Sequence, residues 1–346
     1  MTHAELMEAR WPIAKAEEYM KPYGAIKGVN YVPSYCASYI EMWHHFNEQV
    51  ILKELRWAKK AGLNSLRIFV AACQWESRRE IVKSRLDQFL DYAKELGFSV
   101  MLTLQPNTYM IPGNDLGPEE DPFIINFKPG RHDGSWIYKG ARIFDCNGQW
   151  MEDKESIGAF VTDIVSCYKD DPRVTFWDLY NECHEGNVPL MEYAFSKARE
   201  VNPMQPLTAC WRAFEISDVT TFHCYVRPKD GVDKEWPGIH ELSFEQESER
   251  ALATGRPVLC TECLARTFGN DLDVILPHYA RDHIGFYIWG LVAGTAQYHY
   301  PWDWPLGAPE PRRWFHCIFY PDGTAFDDKE IELLRNFDFE SFQMEE

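Results

Sequence analysis

Two short apolar runs in this 346-residue chain end on a glutamate. Trp177-Asp178-Leu179-Tyr180-Asn181-Glu182 closes on the pair Asn181 and Glu182, and Arg256-Pro257-Val258-Leu259-Cys260-Thr261-Glu262 closes on Glu262. A carboxylate at the end of an otherwise apolar strand is costly to desolvate unless it is paired or used. Two such groups opening into one mouth can carry out glycoside hydrolysis. One carboxyl, held protonated, donates to the leaving oxygen, and the other, ionised, attacks or activates water. Either glutamate alone is unremarkable, because a strand-end glutamate is most often solvated or ion-paired.

Their company narrows the reading. Arg67 lies inside the apolar run Ser65-Leu66-Arg67-Ile68-Phe69, where an inward guanidinium requires an anion. In His223-Cys224-Tyr225 the period of two along a strand points His223 and Tyr225 to one side. Tyr287-Ile288-Trp289-Gly290 ends on an indole, Gln105 ends the third apolar run, and the stretch from Tyr298 to Trp304 interleaves aromatic with polar residues around Trp302. Flat aromatic faces suit sugar rings, so Trp302 is a candidate stacking surface, and Trp289 places an indole at the rim. Other clusters read as scaffold. Cys260 and Cys263 form a C-x-x-C, but on a regular strand they face opposite sides, which argues against a metal or redox site. Trp43-His44-His45 lacks a carboxylate at ligand spacing and reads as part of the first loop, while Cys183-His184-Glu185 reads as loop scaffold beside the pocket, from which His184 or Glu185 could touch a sugar.

The elements that must position these groups form a regular alternation. Apolar β-type runs span Ile26–Val32, Ser65–Val70, Ser99–Leu104, Val174–Leu179, Pro206–Cys210, Val219–Tyr225, Pro257–Thr261 and Phe286–Trp289. Between or after them, helical patterns cover Glu48–Ala61, Leu86–Leu96, Ile157–Tyr168, Leu190–Val201, Phe244–Ala253, Val274–His283 and Lys329–Asn336. The connection Arg212–Asp218 is too short for more than a turn or two of helix. Eightfold βα alternation is the count that closes a (β/α)8 barrel, and no Gly-rich phosphate turn follows the first strand as in a doubly wound sheet. Long loops are expected after strand 3 (Gln105–Asp153) and strand 8 (Leu291–Asp328), on the face where barrels build their sites. No linker separates a second unit, so residues 1–346 read as a single (β/α)8 domain of the α/β class.

Composition sets outer bounds. Hydrophobic residues at 45% and a mean hydropathy of -0.40 describe a globular chain with ample core. With 35 basic against 53 acidic residues the net charge is -18, which repels polyanions, so no nucleic-acid partner is expected. The 13 Trp and 17 Tyr instead favour a weakly polar ligand such as a carbohydrate substrate. Ten scattered cysteines are expected to be free thiols. The segment from Met1 to Lys21 has no apolar h-region, and the longest apolar run falls short of the ~20 residues of a membrane span, so a cytoplasmic location with no membrane association is expected. Oligomeric state is not legible in the sequence.

Taken in order, Arg67 on strand two, Asn181-Glu182 closing strand four, His223-x-Tyr225 on strand six, Glu262 closing strand seven and Trp289 closing strand eight resemble one large clan. It is that of the retaining (β/α)8 glycoside hydrolases, which includes the family 5 cellulases and mannanases and the family 2 β-galactosidases. The resemblance runs from Gly28 to about Asn336. Gly28-Val29-Asn30-Tyr31-Val32-Pro33-Ser34 and Pro321-Asp322-Gly323-Thr324 are similar to a bacterial branch labelled cellulase-like or xylanase-like. One departure is Gln105-Pro106-Asn107, where family 5 enzymes carry a histidine at the end of strand three.

The resemblance implies roles. Glu182 is the acid/base, with its pKa raised by burial and by the other carboxylate. Glu262 is the nucleophile, kept ionised by Arg67 and Tyr225. Asn181 holds the sugar 2-hydroxyl, His223 orients Glu182 or touches substrate, and Trp289 is a stacking floor, with Gln105 and Trp302 as further contacts. Retention implies carboxyl groups about 5 to 5.5 Å apart, and the reaction needs neither cofactor nor metal. The expected activity is that of a retaining β-glycosidase acting from a chain end. Its rivals are an endo-acting β-glycanase, a catalytically silent carbohydrate-binding barrel, and a metal-dependent barrel.

Overall fold

The computed structural model describes residues 1–37, 39–105, 108–110, 130, 132, 141–143, 154–226, 243–302, 304–305 and 307–340. Eight strands, β1 Lys27–Asn30, β2 Ser65–Ala71, β3 Ser99–Gln105, β4 Phe176–Asp178, β5 Leu207–Thr208, β6 Thr220–His223, β7 Val258–Cys263 and β8 Gly285–Trp289, form one sheet. Each coincides with one of the eight apolar runs. The strand pairings are parallel and the order is β5-β4-β3-β2-β1-β8-β7-β6. The two ends of that order meet: Cys210, just past β5, bridges Thr221 of β6 in parallel register, and the Thr208 and Thr221 hydroxyls lie 2.9 Å apart. The sheet is therefore a nearly closed (β/α)8 barrel.

Helices α1 His3–Ala9, α2 Ile13–Met20, α3 Tyr39–His44, α4 Glu48–Lys60, α5 Ala72–Glu95, α6 Lys154–Tyr168, α7 Val188–Val201, α8 Phe244–Leu252, α9 Leu272–Arg281 and α10 Asp328–Asn336 complete the described elements. The amphipathic runs foreseen from residue 48 onward are all helical. The α5 pattern starts much earlier than its periodicity indicates, directly at the end of β2, because non-helical angles at Arg78 (φ -142°) interrupt the apolar repeat. The connection 212–218 is made of turns, as its length requires. Trp43 and His44 belong to the short α3 inside the first β-to-α connection, where the Trp43 indole N–H donates to the Phe69 carbonyl at 2.8 Å.

The N-terminal segment folds as α1 and α2 and closes the bottom of the barrel. Tyr19 and Tyr23 pack on Phe176 at 6.3 and 6.0 Å, and the Tyr19 hydroxyl donates to the Thr175 carbonyl. There they meet a small interior cluster of Ile26, Met101, Phe176, Val219, Leu259 and Tyr287. Above that apolar floor the barrel interior turns polar, towards the C-terminal ends of the strands. After β3, Thr108–Met110 pairs antiparallel with Ala141–Ile143, so the long segment expected as loop carries a short ribbon.

One irregularity decides where the chemistry sits. Cys260 of β7 is level with Phe222 of β6, but Glu262 is level with His223; on the other side Cys260 faces Phe286 while Cys263 faces Ile288. One extra residue is thus inserted at 261–262, a β-bulge, which shifts the in-out alternation by one. Strict alternation from inward Leu259 would aim Thr261 inward and Glu262 outward. The bulge brings the Glu262 carboxylate into the barrel mouth instead. It also overturns the expectation that Cys260 and Cys263 face opposite sides. Both lie in the buried layer between strands and helices, where burial, followed by Cys260 itself, raises the Cys263 thiol well above its usual range.

Candidate active site

Arg67 stands at the centre of the polar interior, fully buried. Its Nε and Nη2 donate to Oδ2 of Asp178 at 3.0 and 2.7 Å, Nη1 donates to Asn30 Oδ1 at 2.7 Å and to Glu262 Oε1 at 2.8 Å, and Nη2 also reaches Asn181 Oδ1 at 2.6 Å. Burial alone would discharge the guanidinium, but the charges of Asp178 and Glu262 outweigh it and hold Arg67 more firmly cationic than usual. Asn30 is fixed in turn, its amide donating to the carbonyls of Thr261 and Ile288. Because Asn181 Oδ1 accepts from Arg67, its amide N–H groups are the end turned away from the guanidinium.

Glu262 is almost wholly buried. Arg67 serves one oxygen, and the Tyr225 hydroxyl donates to the other at 2.7 Å. Burial pushes the Glu262 carboxyl above the ordinary carboxylate range. The charge of Glu182 adds to that, while His223, Arg67 and the Tyr225 hydrogen bond pull it back. Burial first, and then Glu262, raise the Tyr225 phenol well above its usual range, which keeps it a donor.

Glu182 follows β4 at a left-handed backbone position, φ +50°, and its N–H donates to Cys210 Sγ at 3.1 Å. Such a conformation in a non-glycine residue is uncommon and here turns the carboxylate towards Glu262. About a third of the Glu182 side chain is exposed. The contrast in burial is therefore the reverse of the one expected: Glu262, swung inward by the bulge, is the desolvated carboxyl, and Glu182 stands at the rim. His223 joins them. Its Nδ1 lies 3.0 Å from Glu182 Oε1 and 3.4 Å from Glu262 Oε2, an attractive contact only with a hydrogen on Nδ1. One oxygen of each glutamate and the His223 nitrogen all lie within 4.8 Å of one another.

Among the described residues this trio is also the group of acids, histidines and cysteines close enough to hold a metal ion. Its chemistry argues against one. Glu262 already accepts from a guanidinium and a phenol, and a divalent cation there would face the Arg67 charge across a 2.8 Å hydrogen bond.

Trp302 is half-buried and packs edge-on against Tyr225 at 5.2 Å, among Phe268 and Phe315, so it flanks the Glu262 side of the pocket. Trp289 is more enclosed than a stacking floor requires: it is 5% exposed, wedged between Phe69 and Tyr298. The side chain of Gln105 lies outside the described residues. Three contributors were not singled out from sequence, namely Asp178, Asn30 and Trp211. Asp178 and Asn30 carry a retrospective signal, each being a polar residue in an apolar strand at the height of Arg67. Trp211 follows β5 and packs edge-on against His223 at 5.7 Å.

No protein-family model matches the sequence, and no curated protein matches it. Solved structures do share its fold. The exo-β-1,4-mannosidase Op5Man5 from Opitutaceae bacterium strain TAV5 superposes with a TM-score of 0.60 at 19% identity, over 92% of this chain and 60% of that one. The endo-β-1,4-mannanase from Thermotoga petrophila gives 0.58 at 13% identity, over 95% and 79%. A GH5_18 protein from Streptomyces cattleya, solved with GlcNAc, gives 0.52 at 13% identity, over 93% and 81%. The chain thus spans less than two thirds of the first of these. What it shares with all three at such identities is the barrel. No helix among the described residues is long and apolar enough to cross a membrane.

Proposed function

We propose that this chain is a retaining β-glycosidase of the clan of (β/α)8 glycoside hydrolases, with its residues acting as one catalytic unit on a carbohydrate substrate. The observation that carries the proposal is the pair Glu182 and Glu262, with oxygens within 4.8 Å of each other and His223 bridging them in the barrel mouth. Oxygens that near each other support direct attack on the anomeric carbon, for which the carboxyl groups stand about 5 to 5.5 Å apart, over inversion with its wider gap for a water.

Glu262, held by Arg67 and Tyr225, attacks the anomeric carbon while Glu182 gives its proton to the leaving oxygen. Glu182 then takes a proton from the water that releases the sugar from the Glu262 ester. Asn181 donates from its amide to the 2-hydroxyl, a contact that strengthens as positive charge develops on the ring. Two of the similar barrels are a β-1,4-mannosidase and a β-1,4-mannanase, which makes mannose the first glycone to try. Chain-end action is part of the proposal: near Trp302 the Gly130 N–H donates to Gln297 Oε1 at 2.6 Å and the His132 ring to the Tyr300 carbonyl at 2.7 Å, so these two residues lie against the loop after β8 on the nucleophile side.

The test is intact-mass spectrometry after incubation with 2-deoxy-2-fluoro β-glycosyl fluorides of mannose, glucose, galactose and xylose. A gain of one sugar in the wild type, absent in Glu262→Gln, is expected; no gain with any glycone would count against double displacement. The metal reading is favoured by one observation, the Glu182, His223 and Glu262 grouping, and is tested by a chelator. Turnover unaffected by EDTA is expected.

A further inference from the structure

Among the described residues an indole stands on each side of the catalytic pair, each packed on a residue that hydrogen-bonds one of the two glutamates. Trp302 packs on Tyr225, the phenol that donates to Glu262. Trp211 packs on His223 at 5.7 Å with the rings at 63°, and His223 donates to Glu182. His184, two residues beyond Glu182, lies with its ring 5.9 Å from the Trp211 indole. In double displacement the sugar that becomes attached lies over the nucleophile, and the group that departs lies beside the acid that protonates it. The two flanks therefore have different ligands.

The backbone at Trp211 points the same way. Trp211 has φ +64°, and the Arg212 N–H donates back to the Cys210 carbonyl at 3.0 Å, so the indole sits at the tip of a three-residue turn. A turn of that hand is rare and strained, and a bulky side chain in the left-handed region is a genuine outlier. Strain of this kind persists where the surrounding structure demands it. Here Cys210 supplies the demand twice: it bridges Thr221 to close the barrel, and its sulfur accepts the Glu182 N–H. The turn thus holds the indole in fixed relation to the acid/base backbone. Trp211 is only partly buried and His184 is exposed, so a ligand can reach both rings.

We propose that Trp211 and His184 form the platform for the leaving group, and that this group is itself a sugar. Resting on the double-displacement reading above, the inference makes the substrate an oligosaccharide with one end over Glu262 and the adjoining ring against Trp211, rather than a glycoside of a small alcohol. The same platform receives acceptor sugars in reverse. When an acceptor hydroxyl attacks the glycosyl-enzyme, its oxygen bonds to the anomeric carbon, the ester bond to Glu262 breaks, and Glu182 takes the hydroxyl proton.

The experiment traps wild type and Trp211→Ala as the 2-fluoroglycosyl-enzyme with the glycosyl fluoride that labels best, removes excess reagent, and follows loss of the adduct by mass in buffer with and without phenyl β-glucoside or N-acetylglucosamine. Fluoride as leaving group places no sugar on Trp211, so the labelling step and the acceptor step are read separately in each variant. In wild type one of these acceptors is expected to speed adduct loss at least several-fold over buffer and to produce a disaccharide. In Trp211→Ala that acceleration is lost, and in Trp211→Phe, which keeps a ring, part of it returns. Equal acceleration in wild type and Trp211→Ala would overturn the assignment while leaving the nucleophile intact, as would no acceleration in wild type by either sugar. Failure of the wild type to form any adduct would overturn the double-displacement reading and this inference with it. If Trp211→Ala does not fold, His184→Ala under the same protocol is expected to show a reduced acceleration, and an undiminished one counts against the platform.

Discussion

Arg67 and Asp178 are locked together inside the barrel by two hydrogen bonds onto a single oxygen, Nε at 3.0 Å and Nη2 at 2.7 Å, with both side chains fully buried. Thr103 donates to the same oxygen at 3.2 Å, while among the described residues Asp178 Oδ1 has no hydrogen-bond partner. The pair sets the angle at which the rest of the guanidinium reaches Asn30, Asn181 and Glu262. Asp178→Ala is expected to destabilise the fold by about 3 kcal/mol, the lower end for removing one partner of a buried ion pair, because Glu262 still pairs with Arg67. Asp178→Asn, which keeps the shape and loses the charge, should cost less stability and still lower kcat, because Arg67 is then free to settle against Glu262. Urea unfolding alongside steady-state kinetics separates the two effects.

Loss of Glu182 has a different signature from loss of Glu262. Removing a positioned acid/base typically costs about 10²- to 10⁴-fold in rate. Glu182→Ala is expected to fall in that range on natural oligosaccharides, much less on dinitrophenyl glycosides whose leaving group needs no proton, and to be rescued by azide with formation of a β-glycosyl azide. Glu262→Ala rescued by azide should give the α-azide. Product configuration by NMR decides the assignment, and exchanged outcomes would reverse the two roles.

Burial holds the Glu262 carboxyl above its ordinary value of 4.5, so the ionised nucleophile is lost as pH falls through a point higher than that of a free glutamate. The acid limb of kcat/KM should lie above pH 4.5 accordingly. The Tyr225 hydrogen bond lowers the Glu262 pKa, so Tyr225→Phe should move the limb to still higher pH. A limb unmoved in Tyr225→Phe would mean that Glu262 does not control it.

Around the loop after β8 three histidines are held in their neutral form, His299 and His316 buried and His132 partly so. Burial lowers His132 and His299 to about 4, and His316, which donates from Nδ1 to the Leu264 carbonyl, well below 6.5. Glu310 works in the opposite direction on His299, and Arg266 reinforces the effect on His316. Folded-state pKa values below that of the unfolded chain mean that, as pH drops under 6.5, the unfolded chain takes up protons the fold refuses. Stability is therefore lost on acidification from 6.5 towards 4. The thermal midpoint should decline across that window, and less steeply in His316→Asn, whose amide can replace the Nδ1 hydrogen bond.

Gly294 carries the contact between the first and eighth loops. A Cβ there would sit 2.1 Å from the Ser34 carbonyl oxygen, the same oxygen that accepts the Thr295 N–H at 2.8 Å. Backbone has little room to yield, so Gly294→Ala is expected to lower the melting temperature by several degrees and raise KM by shifting the loop that leads to Trp302. Unchanged values for both would show that the two loops are not mechanically joined.

Much of this molecule is written locally. Eight apolar runs separated by amphipathic stretches determine the barrel, because a parallel sheet buried on both faces needs continuous apolar strands and each crossover helix needs one apolar stripe. Strand ends can also be read from such runs, which is why Arg67, Asn181, Glu182, His223, Tyr225 and Glu262 could be named and do converge. Only the tertiary structure decided which carboxyl is desolvated. On a regular strand Glu262 would face away from the mouth, and the bulge at 261–262 that turns it inward is a matter of register against β6 and β8, which residue types on β7 do not specify. The partnership of Asp178 with Arg67 likewise depends on two strands separated by β3 meeting across a closed barrel. The place of Trp211 depends on a turn forced where β5 closes onto β6. These are contacts between segments distant in the chain, and spacing along one segment carries no information about them.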